Sequence, residues 1–164
     1  MKKIKIEIKW AIIFVVMMLL WMLLERLFGL HDKYIDKHMT YTNLVAIPAI
    51  LIYVFALLDK RKNFYAGSMS YLQGLVSGLI ITLIVTIFAP LTQYITSTFI
   101  TPDYFSNAID YTVENGLMSQ EDAENYFNLN SYIKQSVIGA PIMGIVTTAI
   151  VAIFTRKKYP KNLS

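Results

Sequence analysis

Few side chains in this 164-residue chain have the types and proximity for acid–base or metal chemistry. His31 and His38 are the only histidines, and Glu25, Asp32 and Asp36 lie beside them. Carboxylates and imidazoles can together ligate a divalent metal or pass protons, the imidazole because it titrates near neutrality. The spacing matches no specific metal motif. The role expected of the run Glu25, Arg26, His31, Asp32, Lys33, Tyr34, Asp36 and His38 is therefore a solvated, hydrogen-bonded loop, with no metal or cofactor assigned. If a helix continued through it, Glu25, Asp32 and Asp36 would lie near one face. Glu25 and Arg26 are adjacent and cannot face each other on a helix, so each must seek another partner or reach toward the interface. The chain has no cysteine, which excludes disulfides, thiolate nucleophiles and cysteine metal clusters. No Ser/His pair or paired aspartates occur in the apolar stretches, so no catalytic residues are assigned and no enzyme is expected.

The elements that must position these groups are membrane spans. Hydrophobic residues make up 55% of the chain and charged ones 16%, with a mean hydropathy of +0.49, too apolar for an ordinary soluble domain. A helix crosses about 30 Å of hydrocarbon in about 20 residues. Four stretches qualify, at about residues 8–30, 40–58, 71–95 and 135–155, within a single integral membrane domain. The uncharged run 63–102 has 40 residues; as one helix it would be about twice as long as the bilayer core is thick, so its end is left at the interface. A basic start followed by an apolar run also resembles a signal peptide, but no small-x-small cleavage site follows, and the segment is read as the first span.

Lysine and arginine counts set the expected orientation. Lys2, Lys3, Lys5, Lys9, Lys60, Arg61, Lys62, Arg156, Lys157, Lys158 and Lys161 fall on one side with two acids; Arg26, Lys33, Lys37 and Lys134 fall on the other with nine. The basic side is expected to be cytoplasmic and to hold both termini. The pI near 9.2 then reflects topogenic residues near anionic headgroups, and no nucleic-acid binding is expected.

Helices in lipid approach closely where small residues repeat on one face. Ser70, Gly74, Gly78, Thr82 and Thr86 recur at four-residue intervals in the third span, including a GxxxG pair, and Ser136, Ala140, Gly144, Thr148 and Ala152 do so in the fourth. The two stripes are expected to pack together within the chain; a homo-oligomer through the same GxxxG is the alternative. Pro48, Pro90 and Pro141 are expected to bend their spans. The first span, with Phe14, Met17, Met18, Trp21 and Met22, is expected to face lipid.

Residues 102–134 form the one sizeable extramembrane segment and read as two short amphipathic helices. Thr101 caps the first, with Pro102 and Asp103 in its opening turn and Asn115-Gly116 as its stop. Phe105, Ala108, Ile109, Thr112 and Val113 share a face. Ser119 opens the second with Gln120, Glu121 and Asp122, and Ala123, Tyr126 and Phe127 are expected to point inward. The fold class is thus all-α: four transmembrane helices with short amphipathic helices in the outer loop between the third and fourth.

The phrases Leu20-Trp21-Met22-Leu23-Leu24-Glu25, Gly29-Leu30-His31-Asp32-Lys33-Tyr34-Ile35-Asp36-Lys37-His38, Thr98-Phe99-Ile100-Thr101-Pro102-Asp103-Tyr104-Phe105, Met118-Ser119-Gln120-Glu121 and Arg156-Lys157-Lys158 resemble the bacterial membrane family called domain of unknown function 4199. The resemblance covers nearly the whole chain. It implies a four-helix, multi-pass protein of a bacterial inner membrane and supplies no activity. The function expected is a non-enzymatic accessory or scaffold component whose partners are the bilayer and either another membrane protein or further copies of itself. The alternative is a small transporter or channel acting as an oligomer, suggested by the prolines and by Gln73, Ser77, Thr82, Thr86, Thr92 and Gln93.

Overall fold

A computed structural model describes residues 4–157. Lys2, Lys3, Lys158 and Lys161, on which part of the expected orientation rests, lie outside the described residues. The described chain is helical, without a strand: α1 (Lys5–Leu27), α2 (Ile35–Tyr41), a 3-10 turn (Thr42–Val45), α3 (Ala46–Asn63), α4 (Tyr71–Ile95), a π turn (Thr96–Ile100), α5 (Tyr104–Glu114), α6 (Gln120–Tyr126) and α7 (Leu129–Thr155). Four helical segments are long and apolar enough to cross a membrane: Lys5–Leu27, Ile35–Asn63, Tyr71–Ile100 and Leu129–Thr155.

Local chemistry sets several helix ends, although the cap expected of Thr101 does not form: α5 starts after Asp103, without a side-chain cap. Helix α1 stops in a Schellman turn: Gly29 takes a φ of +73°, its N–H reaches the Arg26 carbonyl at 2.9 Å, and the Leu30 N–H reaches that of Glu25 at 3.0 Å, satisfying carbonyls that would otherwise be orphaned. Ser70 and Gln73 form a reciprocal capping box at the start of α4, and the Ser119 side chain accepts from the Asp122 N–H at the start of α6. Gly116, with a φ of +65°, follows α5. Met69 and Lys157 exchange both backbone hydrogen bonds, at 2.9 and 2.8 Å, tying the α3–α4 turn to the end of α7.

Helices α4 and α7 run antiparallel along a seam of small residues. A Cβ on Gly78 would sit 2.3 Å from Thr148 Cγ2, one on Gly144 would sit 2.4 Å from Thr82 Cγ2, and one on Gly74 would sit 3.4 Å from Ala152 Cβ. The contacts step by four residues along both helices, the spacing of a single helix face. The Thr82 hydroxyl donates to the Gly78 carbonyl at 3.0 Å and lies 2.8 Å from the Tyr53 hydroxyl, so α3 joins the seam through a hydrogen bond. Around it Ala11, Ala56, Leu57, Met69, Ile81, Val151 and Ala152 form the buried core. This core occupies the half of the bundle nearest the ends of the described chain, here called the terminal half.

The other half, the loop half, is looser. Beyond Gly144 the seam opens into a cavity of about 420 Å³ lined from all four spans, including Phe14, Tyr53, Gln93, Ser136, Ala140 and Met143. Pro90 and Pro141 lie inside α4 and α7, where each leaves a carbonyl one turn earlier without its helical donor. Pro48 sits in the first turn of α3, directly after the 3-10 turn Thr42–Val45 that interrupts the Ile35–Asn63 segment; the carbonyl its missing N–H would otherwise serve, that of Leu44, lies in that turn.

Helix α1 fully buries only Glu7, Ala11 and Glu25, while Ile12, Val16, Leu20 and Leu24 on its other faces are exposed. It docks through a carboxylate near each end and a small residue between them. In the amphipathic segment, Ala108 and Ala123 are buried, whereas Tyr126 is exposed. The inward direction expected for Tyr126 is corrected: its ring lies over the loop aromatics, 4.9 Å from Phe127 and 6.1 Å from Tyr132 between centroids.

Candidate functional site

Three of the five residues of the polar cluster come together at the loop end of the bundle. Glu25 enters from the last turn of α1, His31 from the Schellman turn and His38 from α2. His31 Nε2 lies 3.0 Å and His38 Nε2 lies 3.4 Å from the same oxygen, Glu25 Oε2. The other oxygen, Oε1, accepts from the Trp21 indole N–H one turn earlier on α1. The Glu25 and His31 side chains are only 2% and 4% exposed, and that of His38 15%. The cluster is therefore buried, a correction to the solvated loop expected from its composition. Burial follows from α5 folding over it, with the Asn107 amide donating to the His31 carbonyl at 2.9 Å.

Asp32 and Asp36 do not take part; both are exposed. Asp32 accepts from the backbone N–H of its neighbour Lys33 within the turn. Asp36 precedes His38 by two residues on α2, about 200° around the helix, so burying His38 turns it outward. The helix of α1 ends before either aspartate, so the shared face with Glu25 does not form. Arg26 finds a separate partner, donating to the Ile100 carbonyl at the end of the π turn.

Tyr104, at the start of α5, closes the site. Its ring and the two imidazoles form a triangle with every centroid pair 5.1 Å apart. Its hydroxyl lies 3.4 Å from His38 Nδ1 and 3.2 Å from the Tyr132 hydroxyl. Burial, reinforced by the Tyr126 and Glu25 side chains, pushes the Tyr104 phenol above its ordinary value of 10 despite the Tyr132 hydrogen bond, because a phenolate is penalised away from water. Tyr104 is thus a neutral phenol that can donate or accept a hydrogen bond. Glu25, His31 and His38 offer ligand atoms within 4.8 Å of one another, so the arrangement can hold a proton between carboxylate and imidazole or bind a metal ion.

A second buried polar group lies at the opposite end. Lys60 Nζ is 2.8 Å from Glu7 Oε1, the Ser77 hydroxyl donates to the same oxygen at 2.7 Å, and all three residues are at most 3% exposed. The Lys60 ammonium also sits 3.7 Å above the Phe64 ring. Beside it Lys9 and the Trp10 indole share Asp59, the latter at 2.7 Å, and Arg61 donates to the Thr155 carbonyl at 2.7 Å. A count of charges treats Glu7 and Lys60 as flanking residues; no local signal joins side chains 53 positions apart.

Of the small-residue stripes, Gly74, Gly78, Thr82, Gly144 and Thr148 meet at the α4–α7 seam. Ser70 instead caps α4, Thr86 donates to the Thr82 carbonyl within its own helix, and Ser136 and Ala140 line the loop-half cavity. Trp21, Tyr104, Asn107 and Tyr132 join the cluster without being marked in the sequence. The four-residue step from Trp21 to Glu25 is the one local cue that could have found any of them.

No curated protein and no solved structure matches the chain. The model of the family described as "Protein of unknown function (DUF4199)" matches residues 9–157. With four apolar helices across that same range and the whole polar cluster inside it, the chain belongs to the DUF4199 family.

Proposed function

We propose that the protein is a non-enzymatic component of a bacterial cytoplasmic membrane, acting as an accessory or scaffold subunit beside another membrane protein, with both termini cytoplasmic. The observation that carries this reading is the closure of the terminal half. There the α4–α7 seam admits no side chain at Gly78 or Gly144, and one oxygen of Glu7 takes both the Lys60 ammonium and the Ser77 hydroxyl across three helices. A route for a polar solute needs a continuous polar lining, and in this half Lys60 and Ser77 converge on one buried carboxylate oxygen beside a close-packed seam. Large apolar side chains outside the seam, among them Leu83, Ile87, Ile138 and Met143, are exposed and suit lipid or a partner helix. Native mass spectrometry of the protein ejected from its own membranes tests the reading. A defined mass containing a second protein in fixed stoichiometry is expected; a monomer or homo-oligomer alone would overturn it.

The orientation rests on the charge asymmetry and has its own test. In the cysteine-free chain, Ser119→Cys and Asn63→Cys place one thiol at each end of the bundle, both at exposed positions. An impermeant thiol reagent on intact spheroplasts should label the first and spare the second. The reverse pattern would invert the topology.

The loop-half cavity favours a second reading, transport by an oligomer, because Asn43, Thr92, Gln93, Ser136 and Thr147 give it polar points within an apolar wall. Absence of flux for protons, common cations and small anions in proteoliposomes would remove it.

A further inference from the structure

The geometry points to a binding site for one zinc-class divalent transition-metal ion, ligated by Glu25 Oε2, His31 Nε2 and His38 Nε2. Zinc–nitrogen and zinc–oxygen bonds of about 2.0–2.1 Å put neighbouring ligand atoms of a tetrahedron about 3.3–3.4 Å apart. Glu25 Oε2 stands 3.0 and 3.4 Å from the two imidazole nitrogens, and all three ligand atoms lie within 4.8 Å of one another, so an ion would draw the two imidazoles together around it.

Hydrogen bonding alone leaves the cluster incomplete. His38 Nε2 is buried and makes no hydrogen bond, although it faces Glu25 at 3.4 Å. His31 Nδ1 is also buried without a partner, and an ion at Nε2 would not change that. A coordinate bond uses the lone pair of His38 Nε2, which the hydrogen-bonded arrangement does not. The surroundings resemble those that orient metal ligands: Trp21 occupies Glu25 Oε1 and leaves Oε2 for the ion, the Tyr104 hydroxyl faces His38 Nδ1, and Asn107 holds the His31 backbone.

The donor set selects the metal class. Calcium and magnesium favour all-oxygen shells, and without cysteine there is no soft thiolate; two imidazoles and a carboxylate suit zinc and its neighbours. Three protein ligands leave a fourth position for water or a small anion. An opening approaches the carboxylate, though neither histidine lines it. A pocket of about 430 Å³, with Trp21, Leu24, Tyr34, Lys37 and Tyr41 in its walls, reaches Glu25. Because its ligands come from α1, the turn and α2, under a lid from α5, the ion would clamp the loop end together. The inference is independent of the accessory reading, since a lone chain would bind the ion equally well.

The test uses the full-length protein in nanodiscs, stripped with a chelator, desalted and titrated with Zn²⁺, with Co²⁺ as a spectroscopic probe. One Zn²⁺ per chain, visible ligand-field bands from Co²⁺ and a higher Tm with metal are expected. Tyr104→Phe should weaken binding by about tenfold, as loss of an outer hydrogen bond does, and Glu25→Gln or His38→Ala by more than about a hundredfold. Asp32→Asn and Asp36→Asn should bind as the parent does. His38 is the least buried of the three ligands, and His38→Gln serves as a near-isosteric second variant if His38→Ala fails to fold. Less than one ion per chain, or stoichiometric binding that survives the His38 substitution, would overturn the site.

Discussion

Lys60→Met should destabilise the bundle by about 3–5 kcal/mol, the range for breaking a buried ion pair from one side. The methionine fills much of the lysine's volume, so the loss is electrostatic: the ammonium leaves the Phe64 ring and, above all, Glu7. Its Oε1 keeps only the Ser77 hydroxyl at 2.7 Å, and its Oε2 is already buried without a hydrogen bond. Glu7 is 1% exposed, too enclosed for water to replace the ammonium. The double variant Glu7→Gln/Lys60→Met should recover most of the loss, because it removes both charges and leaves none stranded. Unfolding in mixed micelles of rising SDS fraction measures both. A single variant within 1 kcal/mol of the parent would mean that the pair does not hold α1 to α3 and α4.

Gly78→Ala carries the second large effect, about 1–3 kcal/mol of overpacking at the α4–α7 seam. The added methyl would meet Thr148 Cγ2 at 2.3 Å, Oγ1 at 2.6 Å and Cβ at 3.0 Å. Rotating the threonine removes the first two clashes but not the third, so the helices must part. Thr148→Ala in the same chain should restore part of the stability, since the Thr148 hydroxyl makes no hydrogen bond to lose. Gly144→Ala should be at least as damaging, because its neighbour Thr82 is held by hydrogen bonds to Gly78 and Tyr53. Gly139→Ala is the control: a Cβ there meets nothing within 4 Å, so alanine's better helix propensity, worth up to about 1 kcal/mol, should leave the protein as stable or slightly more so. Equal effects at Gly78 and Gly139 would show that the α4–α7 contact does not set the outcome.

The polar cluster divides along the same line between local and distant information. Glu25, His31 and His38 stand out in the chain because ionisable residues are rare among its apolar runs. Asp32 and Asp36 stand out equally, and nothing in their spacing separates them from the three that converge. The separation comes from the turn at Gly29, which ends α1, and from burial of one face of α2. Tyr104 lies 66 positions beyond His38, and no periodicity links the two.

By itself, the sequence determined the four apolar helices and some of their ends, such as the Ser119 cap and the stop at Gly116. These depend on residues within a turn of one another and on the length of apolar chain that can shed its backbone polarity only by coiling. Only the tertiary structure decided which small residues meet across α4 and α7, that Glu7 seeks Lys60, and that one carboxylate gathers two histidines beneath a tyrosine. Partner choice among helices in an apolar setting follows shape fit and the penalty on an unpaired buried charge. Both are properties of surfaces brought together in space, and neither leaves a periodic mark along the chain.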